Sequence, residues 1–381
     1  MDELRILCTD PVYPHQTGSF LRTFNIARLA SEKFNRTTIF STDDRIEYSG
    51  NREGVNFIQI KKYSNFLDQA AYLSRGLFSH KFFLKSSPKA FEHVENSIFQ
   101  LEVPYYYHLI KRHHIDRFIL DEHNVCWEIF SFPGNNLKYQ IFNALTHERN
   151  KQIEIRALQE AAQILVCSGR DKEVFLRELP SIRDKITVIP NCVNFPEYEG
   201  YSRAMGSIQS GEDIPRILFM GTYEYPPNID AVYTICSTIA PEVYADVKFL
   251  IIGKNPPAIS HPENVEFLGY VEDIKNFIAS SDICIAPLRY GSGSRLKILE
   301  YMALGKPVIT TTKGAEGIEC TSGHDIIIED DFKAYPEVIR DLLEDEVLRR
   351  ELGDHARKLI RTRYDWRIYR DALHGIYEAV A

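Results

Sequence analysis

The residues best placed to do chemistry lie in YGSGSRLKILEYMALGKPVITT, residues 290–311. Gly291, Ser292, Gly293 and Ser294 run directly into a helical pattern that carries Arg295, Lys297 and Glu300. A Gly–Ser run is poor helix material, but its glycines let a backbone approach a ligand closely. Ser294 can cap the helix, and the free N–H groups and dipole at a helix start favour an anion. Lys297 and Glu300 project on neighbouring parts of one face, with Leu296, Leu299 and Ala303 able to pack behind them. Spacing alone leaves two readings. In one, a nucleoside diphosphate sits with its phosphates at the loop, Arg295 and Lys297 neutralise them, and Glu300 accepts from the ribose hydroxyls. In the other, a capped helix carries a surface Lys–Glu pair. The loop is neither a Walker loop nor a G-x-G-x-x-G turn.

A second polar group stands in FILDEHNVCWEIF, where Asp121, Glu122, His123 and Asn124 follow a strand pattern. At a strand's carboxyl end such a cluster is expected to face a binding cleft.

These residues need a scaffold, and the rest of the chain supplies an α/β pattern. LRILCTD, RTTIFST, VNFIQI, RFILDEH, QILVCS and KITVIPN read as strands, with helix candidates such as SFLRTFNIARLASEKF and ERNKQIEIRALQEAA between several of them. That alternation marks βαβ units and a parallel sheet. Residues 192–215, rich in Pro, Gly, Ser and Glu, read as a linker. Alternation restarts with RILFMGT, VKFLIIGK, VEFLGYV, DICIAPL, PVITTT and DIIIED, and DWRIYRDALHGIYEAVA reads as a terminal amphipathic helix. Two α/β domains make the cleft between them the expected site.

Length and composition agree. The 381 residues are too many for one average core, and 44% apolar with 26% charged content is ordinary for a soluble globular protein. A net charge of −8 argues against bulk nucleic-acid binding. The seven cysteines are scattered and never form C-x-x-C, which reads as reduced thiols in a cytosolic protein without a metal framework. MDELRILCTD lacks the order of a signal peptide, and no apolar run approaches the length of a membrane span. The first strand leads to TDPVYPHQTGS rather than to G-x-G-x-x-G, against a dinucleotide oxidoreductase.

The segment GSGSRLKILEYMALGKPVITTTKGAEGIE resembles the donor-site segment of GT4-type glycosyltransferases with the GT-B fold. Others agree in order: AAQILVCSGRDKEVF, ITVIPNCVNFPEY, ILFMGTYEYPPNIDAVYTI and VEFLGYVEDIKNFIASSDICIAPLR, with the likeness strongest from about residue 160 to 320. The resemblance implies a GT-B architecture: two Rossmann-like parallel-sheet domains facing across a cleft, with the C-terminal helix crossing back to the N-terminal domain. Its bounds would be 1–191 for the acceptor-side domain, 216–363 for the nucleotide-sugar domain and about 364–381 for the returning helix.

Carried over residue by residue, Glu300 matches the second glutamate of the family's E-x7-E motif, which holds ribose. Ser292 stands where the first would fall. The family's usual Arg and Lys after the first strand of the second domain have no counterpart in GTYEYPPNIDA. Arg295 and Lys297 are therefore assigned the diphosphate charge. Gly221, the loop Gly291–Ser294 and the backbone at Gly269, Tyr270 and Val271 complete the donor site, the last three meeting the base. Thr17 and Gly18 stand where the family's first loop has a Gly–Gly pair, a place for phosphate or acceptor or an ordinary βα turn. His123 matches the family histidine that reaches the donor sugar.

The implied activity is retaining transfer from a nucleotide-sugar, UDP-linked donors being commoner, to a glycan or lipid-linked hydroxyl acceptor, with no metal or cofactor. Residues 61–89 hold six basic residues against Asp68 alone. They suggest docking on an anionic membrane face, as does the aromatic-basic run VPYYYHLIKRHH. That would place the protein in the cytoplasm, peripheral on the inner face of the membrane. Two other functions compete: a GT-B nucleotide-sugar epimerase or hydrolase, whose extra acid–base groups would be Glu122, His123 and Glu316, and a non-catalytic nucleotide-sugar binding protein.

Overall fold

A computed structural model describes residues 2–8, 18–43, 48–61, 88–129, 137–201, 214–223, 225–243, 246–291 and 295–381. The chain divides into two compact units, Met1–Pro190 with Tyr369–Ala381, and Asn191–Ile368.

In unit 1 the strands are β1 Glu3–Leu7, β2 Arg36–Asp43, β3 Tyr48–Arg52, β4 Val55–Lys61, β5 Ser97–Leu101, β6 Phe118–Glu122, β7 Gln163–Val166 and β8 Ile186–Val188. Among the described residues they form one eight-stranded sheet, ordered β3-β4-β2-β1-β5-β6-β7-β8. Every pairing is parallel except β3 with β4. Strand order reverses between β1 and β5, and ligands of open α/β sheets bind beyond the carboxyl ends at such a point. Leu7, Phe40, Phe99, Leu101, Phe118, Leu120, Ile164, Val166 and Ile186 bring the sheet into one buried core cluster. The last helix, Arg370–Val380, belongs to this unit and buries Leu373, Ile376, Tyr377 and Val380. Tyr377 meets Phe34 edge-on, ring centroids 5.3 Å apart.

Unit 2 holds β9 Arg216–Met220, β10 Lys248–Ile252, β11 Val265–Gly269, β12 Ile283–Ala286, β13 Val308–Thr310 and β14 Ile327–Ile328. Their order is β11-β10-β9-β12-β13-β14, all parallel. Counted from β9 this is the 3-2-1-4-5-6 order of the doubly wound nucleotide-binding fold, with its switch point between β9 and β12.

Three expectations change. Residues 192–215, read as a linker, begin as packed structure: Cys192, Val193, Phe195 and Tyr198 are buried, and Val193 pairs with Asp365. Apolar side chains at these positions outweigh the turn-rich composition; residues 202–213 lie outside the described residues. VPYYYHLIKRHH is no membrane-facing run. Tyr105, Tyr106, Tyr107, Leu109 and Ile110 are buried, because helical spacing turns them to the core while Lys111 and Arg112 point to solvent. Strands β3 and β5 were not anticipated.

Candidate functional site

In unit 2 the helix Leu296–Ala303 follows β12 and is anchored from behind. Ile298, Leu299, Tyr301, Met302 and Ala303 are fully buried, and the Tyr301 hydroxyl accepts the Met220 N–H at 2.8 Å, pinning the helix to the end of β9. Gly305 stops it with φ +68°. Gly305 N–H donates to Met302 O at 2.9 Å and Lys306 N–H to Tyr301 O at 3.1 Å, the Schellman pattern that favours glycine. The N-cap is Arg295, with no side-chain cap bond, so the helix begins one residue later than a Ser294 cap requires. Ser292, Gly293 and Ser294 themselves lie outside the described residues, as does Thr17. Gly18 opens the first helix and is exposed.

Lys297 stands on the first turn, partly buried. Its Nζ donates to Asn228 Oδ1 at 2.6 Å and lies 4.4 Å from the centroid of the Phe219 ring. Among the described residues its hydrogen-bond partner is this neutral amide alone. Burial, with Arg295 beside it, pulls the Lys297 ammonium down to about 7, against the attraction of Glu300. Burial likewise lowers Arg295, which is 7% exposed.

Gly221, just past β9, explains the close approach: an added Cβ there would lie 2.8 Å from the Asn228 amide and 3.1 Å from Lys297 Nζ. At Gly291 an added Cβ would meet Arg295 Nη2 at 2.8 Å. Glu300 Oε1 accepts from the Tyr198 hydroxyl at 3.1 Å. Burial raises the Glu300 carboxyl, while this bond and the charges of Lys275 and Lys297 oppose the rise. Gly269 ends β11, and its carbonyl accepts from Gly253 N–H at 2.8 Å. Tyr270 beyond it is 64% exposed, with Lys254 Nζ 4.6 Å from its ring centroid; Val271 is partly buried. The structure thus draws Gly221, Gly291, Arg295, Lys297 and Glu300 together at one switch point, and links Gly269 to it through Gly253. Sequence reasoning missed Asn228 and Tyr198, which aim the charged groups.

In unit 1, His123 lies just beyond β6. Its Nε2 is 2.8 Å from Glu102 Oε2 and 3.6 Å from Asp121 Oδ2, and its side chain is 13% exposed. Burial works against the imidazolium, but the bonds to Asp121 and Glu102 outweigh it and raise His123 to about 9. Asp121 is clamped by Arg22 through Nη2 at 2.6 Å and Nε at 3.0 Å. Burial disfavours the Asp121 carboxylate, yet Arg22 and His123 hold it below the ordinary range. Asp121 and Glu122 do not line a cleft, as their strand-end position suggested. Both are buried, Asp121 against Arg22 and Glu122 as an acid pushed well up by burial and the nearby Glu154.

Two groups bring ligand-type atoms within 4.8 Å of one another: Glu102, Asp121 and His123, and Glu122, Cys126 and Glu154. Protein donors already fill the first, since Arg22 takes both oxygens of Asp121 and Thr23, Gln100 and His123 take those of Glu102. In the second, Glu154 caps a short helix by accepting Cys126 and Trp127 N–H groups at 2.9 and 3.2 Å. Glu316 pairs with Lys313 at 2.5 Å.

Two doubly wound sheets and a last helix returned to the first define the GT-B class, and solved structures agree. Sucrose-phosphate synthase from Thermosynechococcus elongatus superposes with TM-score 0.77 at 16% identity over 99% of this chain and 98% of that one. The Anabaena protein HepE in complex with UDP and glucose gives 0.68 at 12% identity over 98% and 99%. Residues 214–345 match the family described as glycosyl transferases group 1. That match lies within unit 2. A phosphatidyl-myo-inositol mannosyltransferase of Propionibacterium freudenreichii is 28% identical over 50% of each chain. A capsular polysaccharide biosynthesis glycosyltransferase of Staphylococcus aureus is 31% identical over 34% of this chain and 32% of that one. The matches thus span half or less of these curated relatives.

Proposed function

We propose that the protein is a retaining glycosyltransferase that moves a sugar from a nucleoside diphosphate donor, a UDP-sugar by preference, to a hydroxyl of a glycan or lipid-linked acceptor. The observation that carries this reading is the Lys297 ammonium, held by the neutral Asn228 beside Arg295 at the switch point of a nucleotide-binding sheet. An anion completes such a site. In this reading Glu300 accepts from ribose, and the backbone at Gly269, Tyr270 and Val271 meets the base. Arg295, Lys297 and the amides at Gly291–Ser294 stabilise charge on the departing diphosphate, where electrostatics contributes most. Cationic side chains take the part a metal ion would otherwise have.

With no secure carboxylate nucleophile, transfer proceeds on the front face, the leaving phosphate helping to deprotonate the acceptor. His123 orients the sugar, and Thr17 and Gly18 serve phosphate or acceptor. The burial of Glu122 and the pairing of Glu316 with Lys313 weaken the epimerase or hydrolase reading, which needs free acid–base groups. A cytoplasmic, peripheral membrane location is part of the proposal. The name of the Propionibacterium relative specifies a lipid acceptor, whereas most of residues 61–89 lies outside the described residues; among the described residues no helix is long and apolar enough to cross a membrane.

The test is a thermal-shift panel of UDP, GDP, ADP and TDP on the wild type and Lys297→Ala, since a ligand of the native state raises the melting temperature. Stabilisation by one diphosphate, weakened in the variant, is expected, followed by sugar transfer with retained anomeric configuration from the matching donor. No shift with any diphosphate would sink the reading.

A further inference from the structure

Behind His123 a line of buried hydrogen bonds runs to the last helix of the chain. The Tyr377 hydroxyl donates to Gln100 Oε1 at 2.6 Å. Gln100 Nε2 donates to Glu102 Oε1 at 2.7 Å. Glu102 Oε2 receives Thr23 Oγ1 at 2.6 Å and His123 Nε2 at 2.8 Å. Tyr377, Gln100, Thr23 and Glu102 are all buried. A carboxylate oxygen needs a donor opposite it, so Gln100 turns its amide N–H to Glu102 and its carbonyl to Tyr377.

A buried carboxylate is costly unless paired and hydrogen-bonded. The charged groups facing His123 are Glu102 beyond β5 and Asp121 on β6, and Arg22 of the helix Gly18–Ala30 binds Asp121 from behind. Two carboxylates against one guanidinium leave one negative charge, which an imidazolium cancels. With Nε2 directed at Glu102, Nδ1 is the ring nitrogen left to a ligand, and no described residue bonds it.

We propose that Glu102 is a positioning residue: it holds His123 as an imidazolium with Nε2–H on the carboxylate, so that Nδ1–H is a charged donor to an oxygen of the bound donor substrate and His123 never serves as a base. The identity of that ligand rests on the glycosyl-transfer reading; the state of His123 does not.

The experiment follows the His123 ring nitrogens by nitrogen–proton correlation spectra of the full chain, the resonance being assigned by its loss in His123→Gln. In the wild type both ring nitrogens are expected to carry protons at neutral pH, with a midpoint of about 9. A neutral His123 at neutral pH in the wild type overturns the proposal whatever any variant does. In Glu102→Gln, which keeps side-chain volume, the midpoint is expected to fall toward the ordinary histidine value of about 6.5. UDP binding by calorimetry stays unchanged. Transfer from the donor identified in the nucleotide panel drops by about 10- to 150-fold above the new midpoint, the worth of a charged hydrogen bond. An unmoved His123 midpoint in Glu102→Gln also overturns it. If the wild type binds no nucleotide, the glycosyl-transfer reading fails while the spectra still decide the state of His123.

Discussion

Asn228 receives the Lys297 ammonium on Oδ1 at 2.6 Å while committing its own Nδ2 to the Thr222 carbonyl at 2.8 Å. The amide cannot rotate without losing both bonds, so the first helical turn after β12 presents a cation whose direction is set by a residue with no charge.

That arrangement gives a pH dependence. The Lys297 pKa is depressed in the fold to about 7 from 10.5. The unfolded chain therefore binds the extra proton between these values, and stability rises with pH across that window. Lys297→Met should flatten this rise and melt higher than the wild type at pH 7 without nucleotide. A bound diphosphate raises the ammonium's pKa, so UDP affinity should fall as pH climbs above about 7, by at most tenfold per unit for one proton. Calorimetry in two buffers of different ionisation enthalpy should detect proton uptake. Its absence would remove Lys297 from the phosphates.

Gly221→Ala should weaken UDP binding more than it weakens folding. The new Cβ falls 2.8 Å from the Asn228 amide and 3.1 Å from Lys297 Nζ, and the overpacking costs roughly 1–3 kcal/mol. The pair can move aside, so the cost appears as a misaimed ammonium. Comparing urea midpoints with UDP titrations separates the two.

Tyr198→Phe leaves the ring and deletes the hydroxyl that bonds Glu300 Oε1. A loss of about 0.5–1.5 kcal/mol, or roughly 2- to 13-fold in UDP affinity, is expected. The drop for 2′-deoxy-UDP should be smaller. Equal losses for both ligands would take Glu300 off the ribose.

Gly353→Ala should destabilise unit 2. An added Cβ would lie 2.0 Å from the Gly305 carbonyl oxygen, so the helix Glu346–Arg363 must move away from the turn that ends Leu296–Ala303. Backbone cannot yield as a side chain tip does, and the cost should exceed the roughly 1–3 kcal/mol of ordinary overpacking. Urea unfolding of the variant measures it.

The doubly wound pattern was plain in the sequence because buried parallel strands are near-continuous apolar runs, as in RILFM and ICIA. β3 was not, since YSGNR is a polar edge strand whose hairpin turns at Glu53 and Gly54, both with positive φ. β5 was hidden by Gln100, a polar residue in a central strand whose reason is a long-range bond to Tyr377. The same limit applies to the candidate site. Lys297, Arg295 and Glu300 share one short segment with a recognisable spacing. Asn228, Tyr198, Arg22 and Glu102 reach their partners across 69, 102, 99 and 21 residues. No local period records such distances. Arg22 stands in an ordinary helical pattern, and nothing near it in the chain marks Asp121 as its partner.

The return of the helix Arg370–Val380 to unit 1 orders events during synthesis. Unit 2, Asn191–Ile368, is contiguous and can close its core as soon as it leaves the ribosome, as domains generally do. Unit 1, although translated first, waits for Tyr377 with its apolar surface open until the second domain is complete. Premature termination after residue 368 would therefore injure the half of the protein made earliest and spare the half made last.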